Sequence, residues 1–292
     1  MKKWGFLFFF ALCLAFVAVN LAKAPCFQDI QEGPIMKVEV EDGGDSRKDG
    51  EEREIASDQV YQGNLLLVNS EYPVYQESVK SDIVNLYKHK ERTKGYELLD
   101  TEVELSVAVA KEFSKMVNAA EKEGVHNFVM NSGFRGFDEQ SILYEDMGPA
   151  YALPAGYSEH NLGLSLDVGS TEAKMEDAPE GKWIERNAWK YGFILRYPKD
   201  KTDVTGIQYE PWHIRYVGLP HSAIMQEKNF ALEEYLDYLK EEKNVSVTVN
   251  NKHYTVSYYA FSEGMTIPLP ENNQYEISGD NMDGIIVTVN KE

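Results

Sequence analysis

The segment Ser158-Glu159-His160-Asn161-Leu162-Gly163-Leu164-Ser165-Leu166-Asp167 places an imidazole and a carboxylate seven residues apart. On one straight strand His160 and Asp167 would stand about 23 Å apart on opposite faces, and on a helix about 10 Å apart. Neither geometry lets both bind one ion. A shared ion therefore requires the chain to bend between them, and Asn161 and Gly163 are residue types that permit such a bend. A His and an Asp in a loop before a strand also occur as hydrogen-bonded structural groups, so the pair by itself does not make a metal site.

A second segment, Gln208-Tyr209-Glu210-Pro211-Trp212-His213-Ile214-Arg215-Tyr216, supplies what the first lacks. Pro211 disfavours a helix starting before it. Trp212, Ile214 and Tyr216 alternate against His213 and Arg215, so His213 is expected to open a strand with its ring on the polar face. Two His and one Asp make a sound catalytic zinc shell, because three protein ligands leave a fourth position for water. Such a site also needs a carboxylate outside the shell to take the water's proton and pass it to the leaving amine, and Glu210 is placed for that. Alternatives stay open at this level: Glu210 in a surface salt bridge with Arg215, Trp212 as core filling.

The rest of the chain bounds where such a site could work. Its 292 residues and 43% hydrophobic content suit a globular protein with one sizeable core and an appendage. Residues 1–24 carry Lys2 and Lys3, an apolar run, and Ala22-Lys23-Ala24, the pattern of a signal peptide. The run is close to the roughly 20 residues that span a bilayer, so an uncleaved N-terminal anchor fits equally well. Either reading places the rest outside the cytoplasm. Lys23-Ala24-Pro25 before Cys26 lacks the aliphatic and small residues of a lipidation signal. Of the two cysteines, Cys13 lies in the apolar run, leaving Cys26 alone and no intrachain disulfide. Loss of Lys2, Lys3 and Lys23 would take the net charge from −19 to −22, a balance that repels nucleic acid and anionic lipid.

The elements that must position the candidate residues are mixed. Residues 25–60 read as an acidic flexible linker, with almost no large apolar residue over 38–58. The folded part is expected over 61–242. It comprises an apolar strand at 65–69, a helix over 106–123 with Val107, Ala110, Phe113 and Val117 at helical spacing, a strand over 128–135 running into a loop, and a helix-like segment with Gln140, Leu143 and Tyr144. Strands follow over 164–168, 192–197 and 212–217, then a polar helix over 223–242. Residues 243–292 alternate as half-buried strands over 245–249, 254–258 and 284–289, a small C-terminal β appendage. The absence of a regular βαβ rhythm argues for α+β. His89, His126, His221 and His253 have no ligand-like setting and are expected in surface or loop positions.

Four ordered motifs then carry a resemblance: Ser132-Gly133-Phe134-Arg135 followed by Gln140; Ser158, His160, Gly163 and Asp167; Asn187-Ala188 with Lys190-Tyr191-Gly192-Phe193 leading to Arg196-Tyr197-Pro198; and Glu210-Pro211-Trp212-His213. Over about residues 65–219 the sequence resembles the VanY-type D,D-carboxypeptidases and their L,D-carboxypeptidase relatives, zinc peptidases with a Hedgehog-like fold and an antiparallel sheet. Gly136 stands where that family usually has Ser, and Phe134 where it has Tyr. The resemblance implies zinc ligands at His160, Asp167 and His213, Glu210 as base and proton shuttle, Arg135 as oxyanion partner, and Gln140 and Ser158 as substrate-binding residues. It implies hydrolysis of the C-terminal D-Ala from peptidoglycan precursor or stem peptides, in vancomycin-type resistance or wall remodelling. The alternatives it leaves are an L,D-carboxypeptidase for tetrapeptide stems, an endopeptidase cutting within the wall cross-link, and a non-catalytic wall-binding module.

Overall fold

A five-stranded mixed sheet in the computed structural model, which describes residues 38–42, 50–148, 152–271 and 274–291, is the frame on which the candidate site is built. The signal or anchor segment expected over 1–24 lies outside the described residues. In chain order the strands are β1 (Val38–Asp42), β2 (Glu51–Glu54), β3 (Ile83–Asn85), β4 (Glu97–Leu98), β5 (Glu104–Ser106), β6 (Phe128–Ser132), β7 (Ser165–Ser170), β8 (Phe193–Leu195), β9 (His213–Tyr216), β10 (Asn244–Val249), β11 (Lys252–Ala260), β12 (Thr266–Leu269), β13 (Tyr275–Gly279) and β14 (Gly284–Lys291). The principal helices are α1 (Val107–Lys122), α2 (Phe137–Met147), α3 (Pro179–Asn187), α4 (His221–Lys228) and α5 (Leu232–Glu242).

This sheet has the order β4-β6-β7-β9-β8. It is antiparallel except at its edge, where β4 runs parallel to β6. Its architecture is α+β, as expected. Helix α1 starts at Ser106, whose hydroxyl accepts the Val109 N–H and so caps the first turn. Phe113, Met116 and Val117 of α1 pack with Met130, Leu166, Val168, Phe193 and Ile214 in one core cluster. Leu166 and Val168 alternate with Asp167, and Ile214 lies between His213 and Arg215, so packing α1 against one face of the sheet turns the polar residues to the other.

Three expectations are corrected. The apolar segment at 65–69 is buried but not a strand. Its backbone bonds go elsewhere: Leu65 N–H donates to Ser278 Oγ, Leu67 N–H to the Asp280 carbonyl, and the Asn64 and Leu66 carbonyls accept from Arg215. The polar helix over 223–242 is two helices, α4 and α5, broken where Asn229 takes a left-handed φ of 52°. Nor is it polar all round, since Leu232, Tyr235, Leu236 and Leu239 of α5 are buried. Within the linker expected over 25–60, β1 pairs with β10 and β2 with β12. The four residues of β2, all charged, are exposed, which an edge strand allows while its backbone still pairs.

The C-terminal appendage is therefore larger than 243–292. Its sheet has the order β1-β10-β11-β14-β13, so an N-terminal strand closes one edge. A second small core gathers Ile55, Val60, Ile267, Leu269, Ile285 and Val287. Helix α5 packs on β10 and β11, and its Glu233 pairs with Arg196 just after β8, which joins the appendage to the first sheet.

Candidate metal centre and catalytic cleft

Asp167 on β7 stands directly across from His213 on β9, and Ser165 across from Arg215. The bend that sequence spacing demanded between His160 and Asp167 is a 3-10 turn over Glu159–Leu162, closed by Gly163 at φ 81°. A Cβ at Gly163 would run into the Ile83 side chain, so both the backbone angle and the space select glycine. Asn161 fixes the turn from within: its Oδ1 accepts the Gly156 N–H at 3.0 Å and its Nδ2 donates to the Arg135 carbonyl at 2.7 Å.

The turn brings His160 Nε2 to 3.3 Å from Asp167 Oδ2, while His213 Nδ1 lies 3.1 Å from Asp167 Oδ1. One donor atom from each of His160, Asp167 and His213 lies within 4.8 Å of the other two, a cluster of the size one ion spans. The remaining ring nitrogens are occupied. His160 Nδ1 lies 2.6 Å from the Gly133 carbonyl, which takes its proton and leaves Nε2 free to ligate. Burial opposes the charge of Asp167, but the two imidazoles outweigh it and hold the carboxyl well below the usual range. Burial likewise opposes charge on His213, yet hydrogen bonds to Asp167 and Glu159 push its pKa up to about 9. A dication between His160, Asp167 and His213 would replace the protons that now lie between the two rings and the Asp167 carboxylate, so the residues fit zinc.

Each expected site residue lines one open cleft of about 690 Å³. Glu210 is in its wall, outside the ligand cluster, and burial raises its pKa above the usual carboxylate value. It makes no pair with Arg215, which bonds Glu159 instead. Arg135 donates through Nη1 to Gln140 Oε1 at 2.8 Å and through Nη2 to Ser132 Oγ at 3.0 Å, and burial lowers its pKa. Among the described residues it is the one cationic Arg or Lys side chain on the cleft. Gln140 is 1% exposed and its amide is used at both ends, by Arg135 and by the Leu153 carbonyl, so it braces Arg135. Ser158 is buried in the cleft wall. Trp212 is not core filling: it is 41% exposed on the rim with Met147, Ile207 and Tyr209.

The profile of VanY, D-alanyl-D-alanine carboxypeptidase, matches residues 102–219. A D-alanyl-D-alanine carboxypeptidase of Enterococcus faecium is 61% identical over 295 residues, covering 99% of this chain and 96% of the relative. The chain belongs to the VanY family. Among solved structures, the vancomycin-resistance D,D-dipeptidase VanXYg, in complex with a D-Ala-D-Ala phosphinate analogue, superposes on this VanY-family chain with a TM-score of 0.70. The two share 30% identity over 87% of this chain and 100% of that one. The LD-carboxypeptidase LdcB, at 29% identity and TM-score 0.53, covers 68% of this VanY-family chain and 98% of its own.

Two residues that contact the His213 ring escaped sequence reasoning. Glu159, between Ser158 and His160, is 2% exposed, and its Oε2 lies 3.4 Å from His213 Nε2. Tyr197 stacks on the His213 ring with centroids 5.1 Å apart. Arg196 and Arg215, each inside an apolar strand pattern, were the available signal, because a guanidinium buried there requires a carboxylate partner.

Proposed function

We propose that this protein is a zinc-dependent D,D-carboxypeptidase that removes the C-terminal D-alanine from peptidoglycan precursor stem peptides on the outer side of the cytoplasmic membrane. The observation that carries it is the convergence of His160, Asp167 and His213 on one point in an open cleft, with Glu210 beside them and outside the ligand set. The 61% identity to a D-alanyl-D-alanine carboxypeptidase supports the substrate class. The location rests on the signal-like or anchor-like residues 1–24.

Zinc held by His160, Asp167 and His213 would supply a Lewis acid that acidifies a water and polarises the scissile carbonyl. Glu210 takes the proton of the attacking water and delivers it to the leaving D-alanine amine, a task its raised pKa favours. Arg135, held by Gln140 and Ser132, presents a fixed positive charge to the oxyanion. Ser158 and the aromatic rim hold the peptide. The acidic chain does not select for nucleic acid.

Release of D-alanine from pentapeptide and tetrapeptide stems, with and without chelator, tests this reading. Release from the pentapeptide that stops on chelation is expected. Activity on the tetrapeptide alone would establish the L,D reading, the activity named for LdcB, which shares the fold. Glu210→Ala should retain zinc and lose turnover by at least about 100-fold; unchanged turnover would refute Glu210 as the base, whereas wild-type protein that releases no D-alanine from either stem would favour a non-catalytic wall-binding module.

A further inference from the structure

The carboxylate of Glu159 is enclosed on all sides. Its Oε1 accepts from Arg196 Nε at 2.8 Å and Arg215 Nη1 at 2.7 Å, and its Oε2 accepts from Ser165 Oγ at 3.0 Å. The remaining direction of Oε2 faces His213 Nε2 at 3.4 Å. Burial opposes the charge, but the two guanidiniums outweigh it and keep the carboxyl well below the ordinary range.

The arginines are themselves held. Both terminal nitrogens of Arg196 reach Glu233 in the first turn of α5, at 2.9 and 2.7 Å. Arg215 spends Nη2 on the Asn64 and Leu66 carbonyls and Nε on the Tyr216 carbonyl. Two carboxylates and two guanidiniums form a neutral group in which every nitrogen of both arginines has an acceptor, so Glu159 is held facing the ring.

We infer that Glu159 is a positioning residue for His213: it receives the Nε2 proton, fixes that tautomer, and leaves the Nδ1 lone pair facing Asp167 and His160 to bind the metal. The inference rests on the zinc reading above. Its physical basis is that an imidazole ligates through the nitrogen without the proton, and a buried carboxylate on the far side both chooses that nitrogen and makes it more basic. Asp167 at 3.1 Å from Nδ1 marks the side on which the ion sits. In Glu159→Gln the amide oxygen is drawn to the two arginines. Its NH2 then faces Nε2 and favours the opposite tautomer. A Glu159 that served only as counter-charge to two buried arginines would change stability alone.

The test uses the full chain with ¹⁵N-labelled histidine. Zinc stoichiometry and affinity are measured by chelator competition, the His213 tautomer by long-range ¹H–¹⁵N correlation, and thermal unfolding in parallel. In the zinc-loaded wild type, the expected result is one zinc, the His213 proton on Nε2 and ligation through Nδ1. Glu159→Gln is expected to weaken zinc binding by about 10- to 100-fold. Ligation of the wild type through Nε2 would overturn the inference while leaving the zinc reading intact, and so would an unchanged zinc affinity in folded Glu159→Gln. Wild-type protein that binds no zinc would overturn both. Should Glu159→Gln fail to fold, the wild-type tautomer decides.

Discussion

Each imidazole of the centre has one nitrogen committed to a protein acceptor, the Gly133 carbonyl for His160 and Glu159 for His213, so the two free lone pairs converge on Asp167. Arg135 is constrained in the same manner by Gln140 and Ser132. Its replacement tests how much of the chemistry depends on a fixed charge. Arg135→Ala is expected to lower kcat by about 10²- to 10³-fold with zinc content unchanged. Gln140→Ala, which frees the guanidinium without removing it, should give a smaller loss in kcat in the same assay. Equal effects would mean that Gln140 touches the substrate itself. At this scale the convergence of His160, Asp167 and His213, with Glu210 to one side, was legible less from spacing than from the four ordered motifs, whose residue types leave few alternatives: two His, one Asp and one spare Glu. Glu159 was not legible, because nothing in its own neighbourhood announces burial; the reason for it lies in Arg196 and Arg215, far along the chain.

Among the elements, the 3-10 turn over Glu159–Leu162 and strands β7 and β9 do most to define the site. Gly163 carries the reversal at φ 81°, a region that costs a residue with a Cβ about 1 kcal/mol or more before any clash. Gly163→Ala adds contact with Ile83, and its effect should reach the ligands because His160 lies within the turn. The expected outcome is a lower unfolding temperature together with weaker zinc binding in chelator competition. A loss of stability with unchanged zinc affinity would show that the turn is not what sets the His160 position. Sequence patterning found α1, β6, β7 and β9, where apolar spacing and cap residues agree. It failed where partners are distant: 65–69 looks like a strand, but its hydrogen bonds go to Ser278, Asp280 and Arg215. The charged β2 looks like linker, but pairs with β12 more than two hundred residues away.

At the scale of the whole molecule the appendage is joined to the catalytic part by buried polar contacts, and one of them is sensitive to acid. Asn281 donates to the Leu67 and Pro73 carbonyls, and His221, expected at the surface, is instead buried between the Tyr235 hydroxyl at 2.7 Å and Thr288 Oγ1 at 3.0 Å. His221 thus ties α4 to α5 and to β14. Burial pulls its pKa down from 6.5 to about 3, and among the described residues no carboxylate offsets it. Above pH 6.5 neither the folded nor the unfolded state carries its proton, and its contribution does not vary. Between pH 6.5 and about 3 the unfolded chain binds a proton that the folded chain refuses, so stability falls as pH falls, by about 1.4 kcal/mol for each unit. Equilibrium unfolding of the wild type should therefore become easier from about pH 6.5 downward. In His221→Gln, whose amide can still meet both hydroxyls but does not titrate, the slope over that window should shrink by about one proton. If the variant kept the wild-type slope, the acid sensitivity would belong to other groups, and the joint between appendage and catalytic sheet would not depend on a neutral His221.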